Sequence, residues 1–174
     1  MTDVIIGNAC TLGAMVTDSL SSTRKTARGV LLVQILSQFF FGASAIVLGG
    51  YTAAVQNGIS VLRNLVAIRK KQCKWIEIVL IILAVGLGVA AHMLNPELKF
   101  FGWLPIVANL EYSLAVLWFK NNERALKIAF LINTILFVGF NARIKNIVAV
   151  IANIVIIITT VIFLIKDRKE KADG

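Results

Sequence analysis

The chain alternates long apolar runs with short polar links, and this pattern predicts seven membrane-spanning helices. A transmembrane helix needs about 20 apolar residues, with a usable range of about 17–25. The seventh run is the clearest because it contains no charged residue, whereas polar residues dilute the first run and the sixth is the shortest. We therefore predict an all-α fold, a polytopic membrane protein. The seven runs are Val4–Leu20, Gly29–Gly49, Tyr51–Ile68, Trp75–His92, Gly102–Phe119, Ala125–Phe140 and Ile147–Ile165.

Composition and charge agree with this pattern. Of the 174 residues, 58% are hydrophobic and 16% are charged, whereas about 25% is usual in soluble domains. The links after the first, third and fifth runs, with their flanks, and the C-terminal tail hold fourteen lysines and arginines, and the opposite links hold three. Cytoplasmic links are rich in basic residues. The distribution of basic residues therefore predicts that the N-terminus is outside and the C-terminus is cytoplasmic. Because the net charge of +9 is explained by this membrane orientation, no nucleic-acid partner is expected.

The order of the runs also indicates an internal duplication. Runs one to three cross the membrane in the same directions as runs five to seven, and run four restores the direction between them. When the sequence is aligned with itself at an offset of 96 residues, Asn57 corresponds to Asn153 and Phe41 to Phe137. Parallel repeats of this kind occur in transporters. We predict one membrane domain, 1–174, with three-helix bundles at 1–72 and 98–174 and a linker helix at 73–97.

Polar side chains form stripes on several of these runs. On a helix, the polar residues of run three fall within an arc of about 120°. Such a face cannot point to lipid, because unpaired amides in hydrocarbon cost several kcal/mol. Two interpretations stay open: the polar residues bond one helix to the next, or they line a wet cavity. The polar residues concerned are Gln34, Ser37, Gln38, Ser44, Gln56, Asn57, Ser60, Arg63, Asn64, Asn109, Tyr112, Ser113, Asn133, Thr134, Asn153, Thr159 and Thr160.

Two charged residues within the runs need separate treatment. Arg63 is five residues from the end of its run, so that its side chain either reaches the cytoplasmic surface or serves the cavity. Glu111 is at mid-span, where inserting a charge into the bilayer costs about 2.5–3.5 kcal/mol. An ionisable residue at that depth therefore indicates a functional role. Its carboxyl group is either protonated or paired with Arg63. We predict a gating or proton-coupling role for both residues.

Catalytic and cofactor chemistry is not expected. The sequence has no glycine-rich phosphate loop, no cluster of histidines and carboxylates at metal-ligand spacing, and no evident base for a nucleophile. Cys10 and Cys73 fall on opposite sides of the predicted membrane. We therefore expect no enzyme activity, no cofactor, no metal site and no disulfide.

The segments SVLRNLVAIRKK (60–71) and LPIVANLEYSLAVLWFK (104–120) resemble the YgjV-type bacterial inner membrane proteins. That group is similar to the SWEET, SemiSWEET, PnuC and PQ-loop transporters, and the resemblance covers nearly the whole chain. It implies two three-helix bundles, a linker helix, an external N-terminus and a bacterial inner membrane location. It also implies a central pocket with one asparagine from the third helix and one from the seventh, by position Asn57 and Asn153. The chain departs from those relatives because it has no Pro-Gln pair.

These observations lead to a functional hypothesis. The chain is expected to be a transporter or facilitator for a small polar solute, working by alternating access, with the sugar, nucleoside or vitamin class unresolved. Asn57 and Asn153 would bind the solute, and Gln38 and Asn133 would line the cavity. The alternative is a non-transporting membrane scaffold or assembly partner. The expected partners are the lipid bilayer, the solute and a possible second copy of the chain.

Overall fold

The computed structural model describes residues 1–22, 27–68, 74–119 and 122–173. Within these ranges all regular structure is helical, which confirms the all-α class. A 3₁₀ helix, Pro96–Trp103, precedes the fifth α-helix. The α-helices are α1 Thr2–Ser22, α2 Ala27–Val47, α3 Tyr51–Ile68, α4 Lys74–Leu94, α5 Leu104–Phe119, α6 Glu123–Arg143 and α7 Ile147–Asp173.

The sixth helix is longer than its apolar run. The run Ala125–Phe140 predicted a short span, but α6 has 21 residues. Its N-terminus is capped by Asn122, whose side chain accepts a hydrogen bond of 3.1 Å from the backbone N–H of Ala125. Such caps satisfy a backbone donor that the first turn leaves unpaired. The prediction was wrong because the polar residues at both ends of α6 remain helical.

Two helices have stretches long and apolar enough to cross a membrane by length and composition alone. They are Trp75–Leu94 in α4 and Arg124–Arg143 in α6. Among the described residues, Thr2–Thr17, Leu31–Val47 and Ile147–Ile162 are shorter apolar stretches. The number of spans therefore stays a prediction, because composition marks only α4 and α6 clearly.

Successive helices run antiparallel, and three of their connections meet at one end of the molecule. The Asn95 side chain, after α4, donates to the Gly49 carbonyl between α2 and α3, at 2.9 Å. Arg143, at the end of α6, donates to the Glu97 carbonyl at 3.3 Å. Within each half of the chain α2 packs on α1 and α3, and α6 packs on α5 and α7, while α4 contacts α3 and α5.

The helix–turn–helix formed by α2 and α3 is built a second time by α6 and α7. The bounds of α2 and α6 differ by 96 residues at both ends, and the first residues of α3 and α7 do so too. In the first turn Gly50 N–H donates to the Ala45 carbonyl at 2.7 Å, and in the second Asn146 N–H donates to the Asn141 carbonyl at 2.9 Å. This six-residue closure is the Schellman motif. The residue before each donor has a positive φ, 73° at Gly49 and 60° at Lys145.

The outer surface of the helices is largely apolar. Large hydrophobic side chains are exposed along all seven helices, and four aromatic residues lie at or beside helix ends. Tyr51 begins α3 and Trp103 precedes α5, while Trp75 and Trp118 lie at the opposite helix ends and are 74% and 68% exposed. So many exposed apolar side chains are typical of a membrane or partner interface, and aromatic rings at the helix ends favour a bilayer.

Candidate functional site

A cavity of about 430 Å³ lies between the two halves of the chain. Its walls come from α2, α3, α5, α6 and α7, with Met15 of α1 at one side. Ligand pockets commonly have volumes of about 300–1,000 Å³, so the cavity has room for a small solute. Its described polar lining residues are Gln38, Asn57, Ser60, Arg63, Asn109, Tyr112, Asn133, Thr134, Asn141, Asn146 and Asn153.

The structure brings the four predicted solute-binding residues to this one cavity. Asn57 and Asn153 approach it from α3 and α7, and Gln38 and Asn133 from α2 and α6. Proximity to a cavity is not binding, so the roles of these residues remain predictions. Because all four residues line one cavity, the polar faces of α2, α3, α6 and α7 are directed toward each other.

The lining of the cavity repeats at the same offset as the helices. Six pairs of lining residues are related by 96 positions, and therefore each repeat contributes the same helical faces. Polar residues occupy both positions in the Gln38 pair and the Asn57 pair. The pairs are Gln38 with Thr134, Phe41 with Phe137, Ala45 with Asn141, Ala53 with Ala149, Asn57 with Asn153 and Ser60 with Ile156.

The hydrogen bonds divide the four predicted residues into two kinds. The Asn133 side-chain amide donates to the Ala108 carbonyl of α5 at 2.8 Å, which ties α6 to α5. Gln38, Asn57 and Asn153 make no side-chain hydrogen bond within the described part of the chain. Their amide groups are available to a solute or to water, whereas one of the two N–H donors of Asn133 is already engaged.

A second, smaller cavity of about 90 Å³ adjoins the first between α3, α4 and α5. Ser60, Arg63 and Asn109 line both cavities. Beside the small cavity the buried Gln56 donates to the Ala84 carbonyl at 2.9 Å and accepts from the Asn109 amide at 3.0 Å. Gln56 therefore connects α3 to both α4 and α5.

The two charged candidates lie in different surroundings. Arg63 lines both cavities, and Glu77 of α4 lines the small one with it. Glu111 lines neither of these cavities, and its Oε2 is enclosed without a hydrogen-bond partner. Arg63 and Glu111, both within the described residues, do not form the ion pair that the sequence left open. Their gating or proton-coupling roles remain predictions.

A polar cluster closes the cavity at the end where the α6–α7 turn lies. The buried Asn146 amide donates to the Thr11 hydroxyl at 2.9 Å and to the Ser44 hydroxyl at 3.2 Å. The two hydroxyls are 2.8 Å apart, and Ser44 also donates to the Gly7 carbonyl at 2.7 Å. These contacts join α1, α2 and the start of α7.

Asn8 of α1 also caps the N-terminus of α7. The Asn8 side-chain oxygen accepts from the Val148 backbone N–H at 2.9 Å, and its amide donates to the Lys145 carbonyl at 3.1 Å. The N–H of Val148 is one of those that the start of a helix leaves without an internal partner. Asn8 is one of the polar residues that dilute the first apolar run, and its position in that run does not predict this capping role.

Several lining residues lie outside the predicted site. Asn109 and Tyr112 belong to a polar side of α5 that the helical spacing showed, but they were not assigned a role. Asn141 and Asn146 lie beyond the predicted end of the sixth run, and only the 96-residue offset could have placed them opposite Ala45 and Gly50. Among the described residues, no group of three or more histidines, cysteines or carboxylates could hold a metal ion.

Comparison with known families adds an identification to this geometry. Residues 5–171 match the sequence model of the Imp-YgjV family, described as bacterial inner membrane protein. The match covers nearly all of the 174 residues. The chain belongs to the Imp-YgjV family. It is therefore a bacterial inner membrane protein, in agreement with the resemblance and with the apolar surface of the helices. No curated protein and no solved structure matches the chain.

Proposed function

We propose that this Imp-YgjV protein is a transporter or facilitator for a small polar solute, which binds in the central cavity. One observation carries the proposal: a cavity of about 430 Å³ is lined by pairs of residues from two repeated units. In repeat-built transporters the solute site lies at the interface between repeats, where rocking of one unit against the other exposes it to each side in turn.

The proposal includes a topology of seven spans. Three helices before α4 and three after it would form two parallel bundles, with α4 as the linker. The offset of 96 between α2 and α6 supports this arrangement, as do the contacts of α4 with both α3 and α5. The distribution of basic residues supports an external N-terminus and a cytoplasmic C-terminus.

The available amides suggest how the solute would be held. Asn57 and Asn153 occupy equivalent positions in the two repeats and make no side-chain hydrogen bond among the described residues. Each amide offers two donors and one acceptor oxygen, which suits a solute with hydroxyl, amide or carbonyl groups. Gln38 would add a third amide, and the Asn133 oxygen a further acceptor.

Rocking would act on the contacts at the closed end of the cavity. There Phe140, which is fully buried, lies over Gly50, and Asn146 bonds to Thr11 and Ser44. Both contacts join the first half of the chain to the second. A conformation open at this end would have to separate them, and hydrogen bonds to water could then replace the lost polar contacts.

Uptake into proteoliposomes tests the proposal. The purified protein would be reconstituted and screened over sugars, nucleosides and vitamins. We expect at least one solute to enter faster than into empty vesicles. Asn57→Ala and Asn153→Ala should each slow this uptake about ten-fold, the effect of one lost hydrogen bond of roughly 1.4 kcal/mol. Thr159→Ala is the control, because its hydroxyl bonds only to carbonyls of its own helix. Inactivity of folded protein over the whole screen would contradict the proposal.

A scaffold remains the second candidate, because part of the polar set is engaged in holding helices together. Asn133 bonds α6 to α5, Gln56 bonds α3 to α4, and Ser37 donates to the Ala14 carbonyl of α1 at 3.3 Å. Under this alternative Asn57→Ala would lower thermal stability as much as Gln56→Ala. A transporter site predicts a smaller effect for Asn57, since its side chain forms no such bond.

A further inference from the structure

The charges around the central cavity restrict the kind of solute it can take. Arg63 is the only residue of permanent charge in its described lining, and none of these lining residues is a carboxylate. An arginine side chain stays protonated in proteins and offers five N–H donors. The cavity therefore has a positive charge on one wall and neutral amides, hydroxyls and apolar groups elsewhere.

The N–H donors of the Arg63 guanidinium group are not used by other described residues. Within the described part of the chain it forms no hydrogen bond and no ion pair. The nearest acidic candidate on the small cavity is Glu77, which lines that cavity but does not bridge to Arg63. The Arg63 side chain is exposed, and its N–H donors are not engaged, although Glu77 attracts the guanidinium group electrostatically. An anion could therefore pair with Arg63 without displacing an existing hydrogen bond.

Arg63 lies on the same face of α3 as the proposed hydrogen-bonding residues. Asn57, Ser60 and Arg63 are spaced three residues apart and all line the cavity. The rise of about 1.5 Å per residue puts Asn57 and Arg63 roughly 9 Å apart along the axis. Tyr112 of α5 lines the same cavity and offers a hydroxyl near the charged end. A solute of several carbons could reach both ends.

The positive charge belongs to one repeat only. The position related to Arg63 by the 96-residue offset is Thr159. Thr159 does not line the cavity, and its hydroxyl donates to carbonyls of α7, at 3.0 Å from both Val155 and Ile156. A solute with one anionic end would therefore bind in one orientation, with that end toward α3.

We infer that the solute is a small polar anion, with a carboxylate or phosphate group that pairs with Arg63 and a polar body that contacts the asparagines. This inference rests on the proposed function for its biological meaning, but binding can be measured without transport.

Equilibrium binding to the purified full-length protein in a neutral detergent is the test. The probes are radiolabelled glucose, gluconate and glucose 6-phosphate, which share one carbon skeleton and differ in charge. At least one of the anions should bind ten-fold or more tightly than glucose, as expected for a charge-assisted hydrogen bond. Arg63→Gln should remove this preference, and Arg63→Lys should retain part of it.

A matched control uses the other charged residue of the small cavity. Glu77→Gln removes a charge of opposite sign beside Arg63 and should leave the anion preference unchanged or stronger. Loss of preference in Glu77→Gln but not in Arg63→Gln would overturn the inference. So would glucose that binds as tightly as both anions, or absence of saturable binding for all three probes.

Two further measurements separate the possible failures. Dioleoyl phosphatidylglycerol serves as a lipid competitor; if it binds but neither soluble anion does, Arg63 serves lipid and the inference falls. Uptake is then measured in vesicles of dioleoyl phosphatidylcholine. Anion binding without uptake would support the inference and contradict the transporter proposal. Uptake of glucose but of neither anion would support the transporter proposal and contradict the inference.

Discussion

The two halves of the chain share one backbone plan and differ in the side chains that close the cavity. The turn after α2 and the turn after α6 have the same hydrogen bonds at an offset of 96. Ser44 in the first half corresponds to Phe140 in the second, and Gly50 corresponds to Asn146. The contact of Ser44 with Asn146 is thus the equivalent of the contact of Phe140 with Gly50. One is polar and one is apolar, yet both join the halves.

This exchange shows that the backbone fixes where the halves meet but not the chemistry of the contact. A large ring requires a residue without a side chain opposite it, and a small hydroxyl leaves room for an amide. The requirement concerns the summed volume of each pair. The first turn alone would suggest that this position must be glycine, and the second alone that it must be asparagine.

The fourth helix has no counterpart and accounts for a second difference. Gln56 is buried and bonded to α4, whereas its equivalent Ala152 lines the cavity. Gly88 of α4 allows this contact, because a methyl group there would lie 2.7 Å from the Gln56 amide nitrogen and 2.9 Å from Ile106 Cγ1. α4 thus changes the chemistry of only one of the two equivalent positions, 56 and 152.

The largest effect is expected from a side chain at Gly50. A Cβ atom there would lie 2.9 Å from Phe140 Cζ and 3.2 Å from Ile144 Cδ1. Phe140 is fully buried and cannot move away, so Gly50→Ala should lower the free energy of unfolding by about 2 kcal/mol. Unfolding in mixed detergent micelles measures this.

Gly58→Ala is the matched control for Gly50→Ala, because a Cβ atom at Gly58 meets nothing within 4 Å. It should be neutral or stabilising by up to about 1 kcal/mol, the helix-propensity gain. Phe140→Leu should reduce the cost of Gly50→Ala in a double-mutant cycle. If the two changes are additive, the close contact between the halves is not the cause.

A smaller effect is expected at α4. Gly88→Ala should cost about 1–2 kcal/mol, because the overpacking exceeds the helix-propensity gain of the alanine. Gly86→Ala, two residues earlier in the same helix, meets nothing within 4 Å and should not destabilise. Thermal unfolding of both variants in one detergent gives the comparison. Equal melting temperatures would mean that α4 does not pack closely on Gln56.

An effect no larger than that of Gly88→Ala is expected when Asn146 is replaced by glycine, the residue at the equivalent position of the first turn, Gly50. Asn146→Gly removes two hydrogen bonds, to Thr11 and Ser44, and the side-chain bond to the Ala149 N–H at 3.2 Å. Interhelical bonds in membranes average about 0.6 kcal/mol each, and glycine at a helix N-cap costs only a few tenths. The total should be about 1.5 kcal/mol, measured by the same unfolding titration. A loss above that of Gly50→Ala would reverse the ranking of the two contacts.

Much of the site was accessible from the sequence. The stripe on α3 predicted Asn57 and Arg63 on one face, and the offset of 96 paired Asn57 with Asn153; all three line the cavity. Asn133 was predicted as a lining residue and is one, but its amide is engaged by Ala108. Helical periodicity gives a direction around an axis, and it cannot show which neighbouring carbonyl lies within reach.

The sequence by itself determined the helices, the apolar exterior and the faces that must avoid lipid, because hydrocarbon rejects unpaired polar groups wherever they occur along the chain. The tertiary structure alone decided the partners. Asn8 meets Val148 across 140 positions, and Arg63 and Glu111 do not pair although both lie within predicted spans. Hydrogen bonds act over about 3 Å, and distances of that order are set only when helices far apart in the sequence have packed.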